Sequence, residues 1–351
     1  MPRLSLAAHR LAIAGCAAAS FLLASCSESP NSPTREIAPD AASLSQSQEF
    51  ADENGRHVFH TKQWHENDNA QNDAGNAHGR PGGGGTSTGI SFHGGSVLQS
   101  GTNVVAVYWG GSTIYDGGPT PGAVGSGGQD GSLVGTFLRN LGGSSYFNIN
   151  STYWDASTTH IVNSVTYDGF WANPDLPTTS SISDAQMVAM LQNAFDTKKL
   201  TYTPSTVYAI FTGPGVNLGG GFSSTNLQYC AYHYHGTVNV GGSKTVLYAA
   251  MPYDYAFRTS CTNGTASPNA DGPADAIINT LAHEIEEATT DMLGTAWFDN
   301  RGYENADKCA WNFGSTYPAG SGVANMKIGT KDYLIQQNWV NAGSGGCAKS
   351  Y

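Results

Sequence analysis

The chain has 351 residues, 39% of them hydrophobic and only 12% charged, with 44 glycines and a formal net charge of −11. That length allows one large domain or two small ones. The acidic balance excludes a nucleic-acid partner, because phosphate binding needs a basic face, and the many glycines point to a loop-rich exported chain.

Arg3 and Arg10 open the chain and an apolar run follows, Leu11 to Ala24, ending at Leu23-Ala24-Ser25-Cys26. The run is too short and too Ala-rich for a membrane span, so residues 1–25 read as a cleaved signal peptide. Leu-Ala-Ser-Cys resembles the bacterial lipobox, where cleavage leaves a lipid-bearing cysteine at the new N-terminus. Cys26 is therefore the expected lipidation site. Ile13-Ala14-Gly15-Cys16 fits the same tetrapeptide but has almost no apolar segment before it. The expected localisation is export to the outer membrane or cell surface, with the membrane reached through the N-terminal lipid.

Residues 26–89 hold much Ser, Asn, Asp, Gly and Pro and few aliphatics, and read as a disordered tether. His57, His60, His65 and His78 fall in it and are given no role. Order is expected from Ile90 onward. Val104 to Trp109 is an apolar run of strand length. Gly110 to Gly131 reads as a Gly/Pro loop. Leu133, Phe137, Leu138 and Leu141 recur at helical spacing within Ser132–Leu141. Tyr146 to Trp154 and His160 to Tyr167 read as strands. Ser183 to Leu200 is the clearest helix, with Ser183 and Asp184 at its start and Lys198-Lys199 at its end. Val207 to Thr212 is a strand and Gly213 to Asn226 a glycine loop. Tyr232 to Val240 and Val246 to Met251 pair through Gly241-Gly242. A last helix opens at Asp271-Gly272-Pro273, where Pro suits the first turn. This order predicts an α+β domain over 90–351: a twisted sheet packed against two or three helices, with a zincin-like metal helix following the strands.

After signal removal, Cys230, Cys261, Cys309 and Cys347 remain besides Cys26. An even number in an exported chain predicts two disulfides. Three pairings are open; the sequential one, Cys230–Cys261 and Cys309–Cys347, is adopted. A four-cysteine zinc site lacks the C-x-x-C pair it needs.

The chemistry lies in the last helix. His283-Glu284-Ile285-Glu286-Glu287 is close to the metallopeptidase motif H-E-x-x-H, with Glu287 in place of the second histidine. Positions i and i+4 share a helical face, so His283 and Glu287 can hold one ion. Three acids in four residues repel one another, and a divalent cation reverses that sign. Glu304 or Asp307 is the third ligand, with Asp291 and Asp299 in reserve. Zinc suits imidazole and carboxylate donors, and calcium is the alternative for a carboxylate-rich site. Glu284 is then the base that takes a proton from an activated water. His233 and His235 alternate along a strand, share one face and are candidates to stabilise the transition state.

Phe92-His93-Gly94-Gly95, the strand Val104 to Trp109, the Cys230 segment, Leu281 to Asp291 and Gly302 to Gly314 come in an order that resembles the EXORDIUM or phosphate-induced protein family. The resemblance covers roughly residues 90–350. It implies an exported domain; plant members of the family are apoplastic and linked to growth, and it implies no activity. The plant proteins lack the residues found here at 283–287. Bacterial relatives resemble this chain more closely, with a His-Glu-x-x-Glu-Ala-x-Thr-Asp core and a following Glu-x-x-Asp-x-Cys, here His283 to Asp291 and Glu304 to Cys309. Two readings of function remain. One is a zinc-dependent hydrolase acting on a peptide or cell-surface polymer. The other is a non-catalytic surface domain with a structural cation, in which Trp109, Trp154, Trp171, Trp297 and Trp339 stack on carbohydrate.

Overall fold

A computed structural model describes residues 56–68, 89–177, 180–262 and 267–351. The signal peptide, Cys26 and His78 lie outside the described residues. Among the described residues, no helix is long and apolar enough to cross a membrane.

Seven strands form one mixed sheet. In chain order they are β1 (Val58–His60), β2 (Thr102–Trp109), β3 (Val124–Ser126), β4 (Val165–Asn173), β5 (Thr206–Thr212), β6 (Tyr229–Asn239) and β7 (Ser243–Met251). Their spatial order is β1-β6-β7-β5-β2-β4-β3. The centre, β7-β5-β2-β4, is parallel, and the flanking pairs are antiparallel. Buried on both faces, β2 and β5 read as continuous apolar runs, as central parallel strands do.

Three helices of nine residues or more cover the sheet: α1 (Leu133–Leu141), α2 (Asp184–Asp196) and α3 (Gly272–Thr290). Val104, Ala106 and Tyr108 of β2 point to the face that carries α1 and α3. Val105, Val107 and Trp109 point to the face that carries α2. The α+β expectation holds, with helices on both faces. α3 follows the last strand of the main sheet. Asp271 caps α3 by accepting from the Ala274 N–H at 3.1 Å, and Pro273 sits in the first turn. Ile277, Leu281 and Ile285 pack on the sheet.

Three sequence expectations fail. Tyr146–Trp154 is not a strand: Phe147–Thr152 is a 3₁₀ helix whose buried Phe147 and Ile149 imitate strand alternation. The strand expected at His160–Tyr167 runs instead from Val165 to Asn173, where Phe170, Trp171 and Ala172 are buried. The tether does not extend through 56–68. Val58–His60 pair with Tyr229–Tyr232 as the edge strand of the sheet, and Phe59 is fully buried. Three strand residues in polar surroundings leave too little periodicity to be read. In addition, the loop Gly110–Gly131 contains β3.

Both disulfides pair sequentially, Cys230–Cys261 and Cys309–Cys347. The first joins β6 to the segment ahead of α3. The second joins the turn after Glu304 to the C-terminal strand Gly346–Ala348.

Candidate metal centre

Four elements converge on the buried side of α3. The helix supplies His283, Glu284 and Glu287. β6 supplies His233, because Ala231, His233 and His235 alternate onto the face that α3 covers. The segment after the helix supplies Glu304 and Asp307, and the arm 56–68 supplies His57. His233, His283, Glu284, Glu287 and Glu304 are each at most 4% exposed.

His283 Nε2 lies 3.0 Å from Glu287 Oε1 and 3.5 Å from Asp307 Oδ1. Its ring is fixed by Gln336, whose Nε2 is 3.0 Å from His283 Nδ1, and by Phe59 stacked at 3.9 Å. His233 Nδ1 lies 3.3 Å from Glu284 Oε2 and 3.8 Å from Glu287 Oε2, and its Nε2 lies 3.9 Å from Glu304 Oε1. His57 Nδ1 faces Glu304 Oε2 at 3.1 Å. Two triads offer one donor atom per residue, all within 4.8 Å of each other: His283, Glu287 and Asp307, and His233, Glu287 and Glu304. The sequence left Glu304 and Asp307 as alternatives for one position. The geometry divides them, Asp307 going with His283 and Glu304 with His233.

The reserve acids have other work. Asp291 Oδ1 accepts from the N–H groups of Thr295 and Ala296 and holds the turn that ends α3. Gly294 in that turn has φ +68°, and a Cβ there would stand 3.1 Å from His57 Nε2, so glycine lets the arm approach. Asp299 accepts from the N–H groups of Arg301 and Tyr303 and from Lys308 Nζ at 2.9 Å, which makes it a turn residue. Glu286 points away from the triads and accepts from Asn338 Nδ2 at 2.7 Å. Burial pushes its pKa well above the ordinary carboxylate range.

Without a cation the centre is electrostatically costly. Burial, then the Asp307 charge, pushes Glu287 up to about 7. Burial, then Glu287 and Asp291, holds Glu304 well above its ordinary value. Burial opposes the charged form of His283, but the Glu287 and Asp307 carboxylates outweigh it and raise its pKa well above the ordinary value. His57 is the opposite case: its burial prevails and lowers it. Among the described residues, His283 Nε2, Glu284 Oε1, Glu304 Oε1 and Oε2, Asp307 Oδ1 and His57 Nδ1 are buried and make no hydrogen bond, although His283 Nε2 and His57 Nδ1 face carboxylates at 3.0 and 3.1 Å. Each such atom costs about 1–3 kcal/mol unless something satisfies it, and more when charged. A divalent cation in either triad would satisfy the ligand atoms of that triad. Nitrogen and carboxylate donors fit a first-row transition ion or zinc better than magnesium.

His235 stands at the margin. It lines a cavity of about 10 Å³ with His57, His233, Met292, Leu293 and Gly294. The proposed aromatic platform does not form, since Trp109, Trp171 and Trp297 are buried and Trp154 and Trp339 half-buried. Trp297 Nε1 donates to the Trp154 carbonyl, which ties two of them into one core cluster. Sequence reasoning missed His57, Phe59 and Gln336. The apolar pair Val58-Phe59 in a polar stretch was the one signal available.

Residues 90–331 match the family model of the phosphate-induced protein 1 conserved region, and the chain belongs to that family. No curated protein and no solved structure matches the chain.

Proposed function

We propose that this member of the phosphate-induced protein 1 family is an exported zinc-dependent hydrolase, of the branch that carries His-Glu-x-x-Glu. The observation that carries the reading is Glu284. One of its oxygens is held by His233 at 3.3 Å, and the other is buried with no partner, beside the His283–Glu287–Asp307 triad. A base needs that combination: one oxygen oriented, the other open to a proton. A bound zinc ion would polarise a scissile carbonyl and acidify water. The chain's own residues do the rest. His283, Glu287 and Asp307 would hold the ion, Glu284 accepts the proton, and His233 orients Glu284. The substrate is a peptide or a cell-surface polymer. Lipidated Cys26 tethers the domain to the outer membrane. Calcium in the same cage is the variant that removes the hydrolytic chemistry.

One observation favours a second reading, a structural cation. The cavity beside the centre, about 10 Å³, has room for one water and no more. Structural sites are closed and catalytic ones keep an open position. Hydrolysis therefore requires the arm with His57 and Phe59 to withdraw.

Glu284→Gln separates the readings. It keeps shape and metal but removes the base, so cleavage of a peptide library should fall about 100-fold or more while zinc content, measured by mass spectrometry of the purified protein, stays at the wild-type level. Metal bound by wild type with no cleavage of any peptide or polymer, with or without residues 56–68, gives the structural reading. Wild type without any divalent metal overturns both.

A further inference from the structure

We infer that the centre holds two divalent cations bridged by the Glu287 carboxylate, with His57 as an additional ligand to the second. The inference rests on the metal reading and goes beyond its single ion.

The first ground is the direction of Glu287. Its Oε1 faces His283 at 3.0 Å, and its Oε2 faces His233 at 3.8 Å. The two oxygens of one carboxylate thus address two different imidazoles, each with its own second acid, Asp307 or Glu304. A single zinc ion has its ligand atoms at about 2.0–2.2 Å, so they all lie within roughly 4.4 Å of one another. The donors here form two groups, each with its atoms within 4.8 Å of one another, and His233 and His283 fall in different ones. Paired ions about 3.5–4 Å apart are a known arrangement in hydrolytic sites, and a bridging carboxylate suits that spacing.

The second ground is where the unpartnered atoms lie. His283 Nε2 and Asp307 Oδ1 belong to one triad; Glu304 Oε1 and Oε2 and the facing His57 Nδ1 belong to the other. One ion in either triad leaves the other set of buried atoms unsatisfied. Two ions satisfy both sets.

The third ground is charge. Five carboxylates, those of Glu284, Glu287, Asp291, Glu304 and Asp307, are buried around the centre. Each ion pair that they make is with an imidazole, and none is with Lys or Arg among the described residues. One dication offsets two ionised carboxylates, and a second offsets two more. In a buried, low-dielectric site an uncompensated excess of like charge is not tolerated.

The second ion also explains the arm. His57 sits beside Glu304 because β1 pairs with β6 next to His233. An edge strand that delivers a ligand to the centre couples folding of residues 56–68 to metal binding.

The test is stoichiometry. The full-length exported protein, stripped with chelator and reloaded with zinc alone, should bind two equivalents per chain by calorimetry and elemental analysis. Asp307→Asn and Glu304→Gln should each retain one, and Glu287→Gln should retain none. His57→Ala should keep two but weaken the second about tenfold or more. Because such variants can misfold, wild type loaded with manganese(II) gives an independent readout: its electron paramagnetic resonance spectrum should show exchange coupling between two ions. One equivalent in wild type overturns the pair and leaves the single-ion reading standing. Two equivalents with an uncoupled manganese spectrum overturn the Glu287 bridge. No binding overturns both the pair and the metal reading beneath it.

Discussion

Helices α2 and α3 lie on opposite faces of one sheet, and they treat their polar residues in opposite ways. α2 buries Met187, Met190, Leu191, Ala194 and Phe195 and leaves the rest of its surface to solvent. α3 is buried almost all round from Ala274 to Thr290, including one histidine and three glutamates. An amphipathic helix needs only an apolar partner, which the sheet supplies. A helix with buried acids needs compensation on its second side as well. Here the arm 56–68 and the segment 303–309 close that side: the arm brings the imidazole of His57 to Glu304, and the segment brings two more acids, Glu304 and Asp307. Local sequence dictates α2. α3 is dictated by sequence on its sheet side and by chemistry on the other.

The largest effect that separates the two faces is removal of the ion. A metal at about 1,000 times its dissociation constant stabilises a fold by about 4 kcal/mol. Chelation should therefore lower the melting temperature by on the order of 10 °C. Hydrogen exchange should rise in the last two turns of α3, in 303–309 and in β1, and stay unchanged in α2. Equal loss of protection in α2 would mean that the two faces unfold together, and the contrast would fail.

How much of this was legible follows the same division. The α2 helix, β2, β5, the β6–β7 pair and the start of α3 stood in the sequence because each combines a strong period with end signals. The sheet side of α3 was legible too: Ile277, Leu281 and Ile285 pack as spaced. His283, Glu284 and Glu287 were legible from a motif, and His233 from alternation along its strand. The other side of α3 was not. No local pattern tells that Asp307 goes with His283 and Glu304 with His233, since that depends on how the chain turns after the helix. His57 lies 247 positions before Glu304, as the numbering shows, and a three-residue edge strand carries too little periodicity to announce itself. Phe147–Thr152 failed for the converse reason, a period-2 apolar pattern produced by a tight helix.

A smaller effect sharpens the comparison inside α3 itself. Asp254 is fully buried against the helix, where Thr280 donates to its Oδ2 at 2.5 Å and Oδ1 has no partner. It belongs to neither triad. Burial pushes its pKa well above the ordinary value. The sign follows from linkage. With the folded pKa raised, stability is complete below the unfolded value and is lost as pH rises toward the folded one. Asp254→Asn removes that loss. Its melting temperature relative to wild type should rise with pH above about 4, by at most about 1.4 kcal/mol per pH unit. A gap that stays constant from pH 4 to 8 would show that Asp254 is ionised in the fold.

The smallest effect belongs to α2 and serves as the control for the whole contrast. Ser183 accepts from the Gln186 N–H at 3.3 Å, and Gln186 Oε1 accepts in return from the Ser183 N–H at 2.9 Å. This reciprocal cap satisfies two donors that the first turn leaves open. Ser183→Ala should cost about 1 kcal/mol, which is about 2–4 °C in a domain of this order of size. The start of α2 meets the arm through the Arg56–Asp184 pair at 3.0 Å, which Ser183→Ala leaves in place, and otherwise the sheet lies between the cap and the centre. Metal content and metal affinity should therefore be the same as in wild type. If Ser183→Ala lowered zinc occupancy, the sheet or the Arg56–Asp184 pair would be passing strain to the centre, and α2 would have to count among the elements that build it.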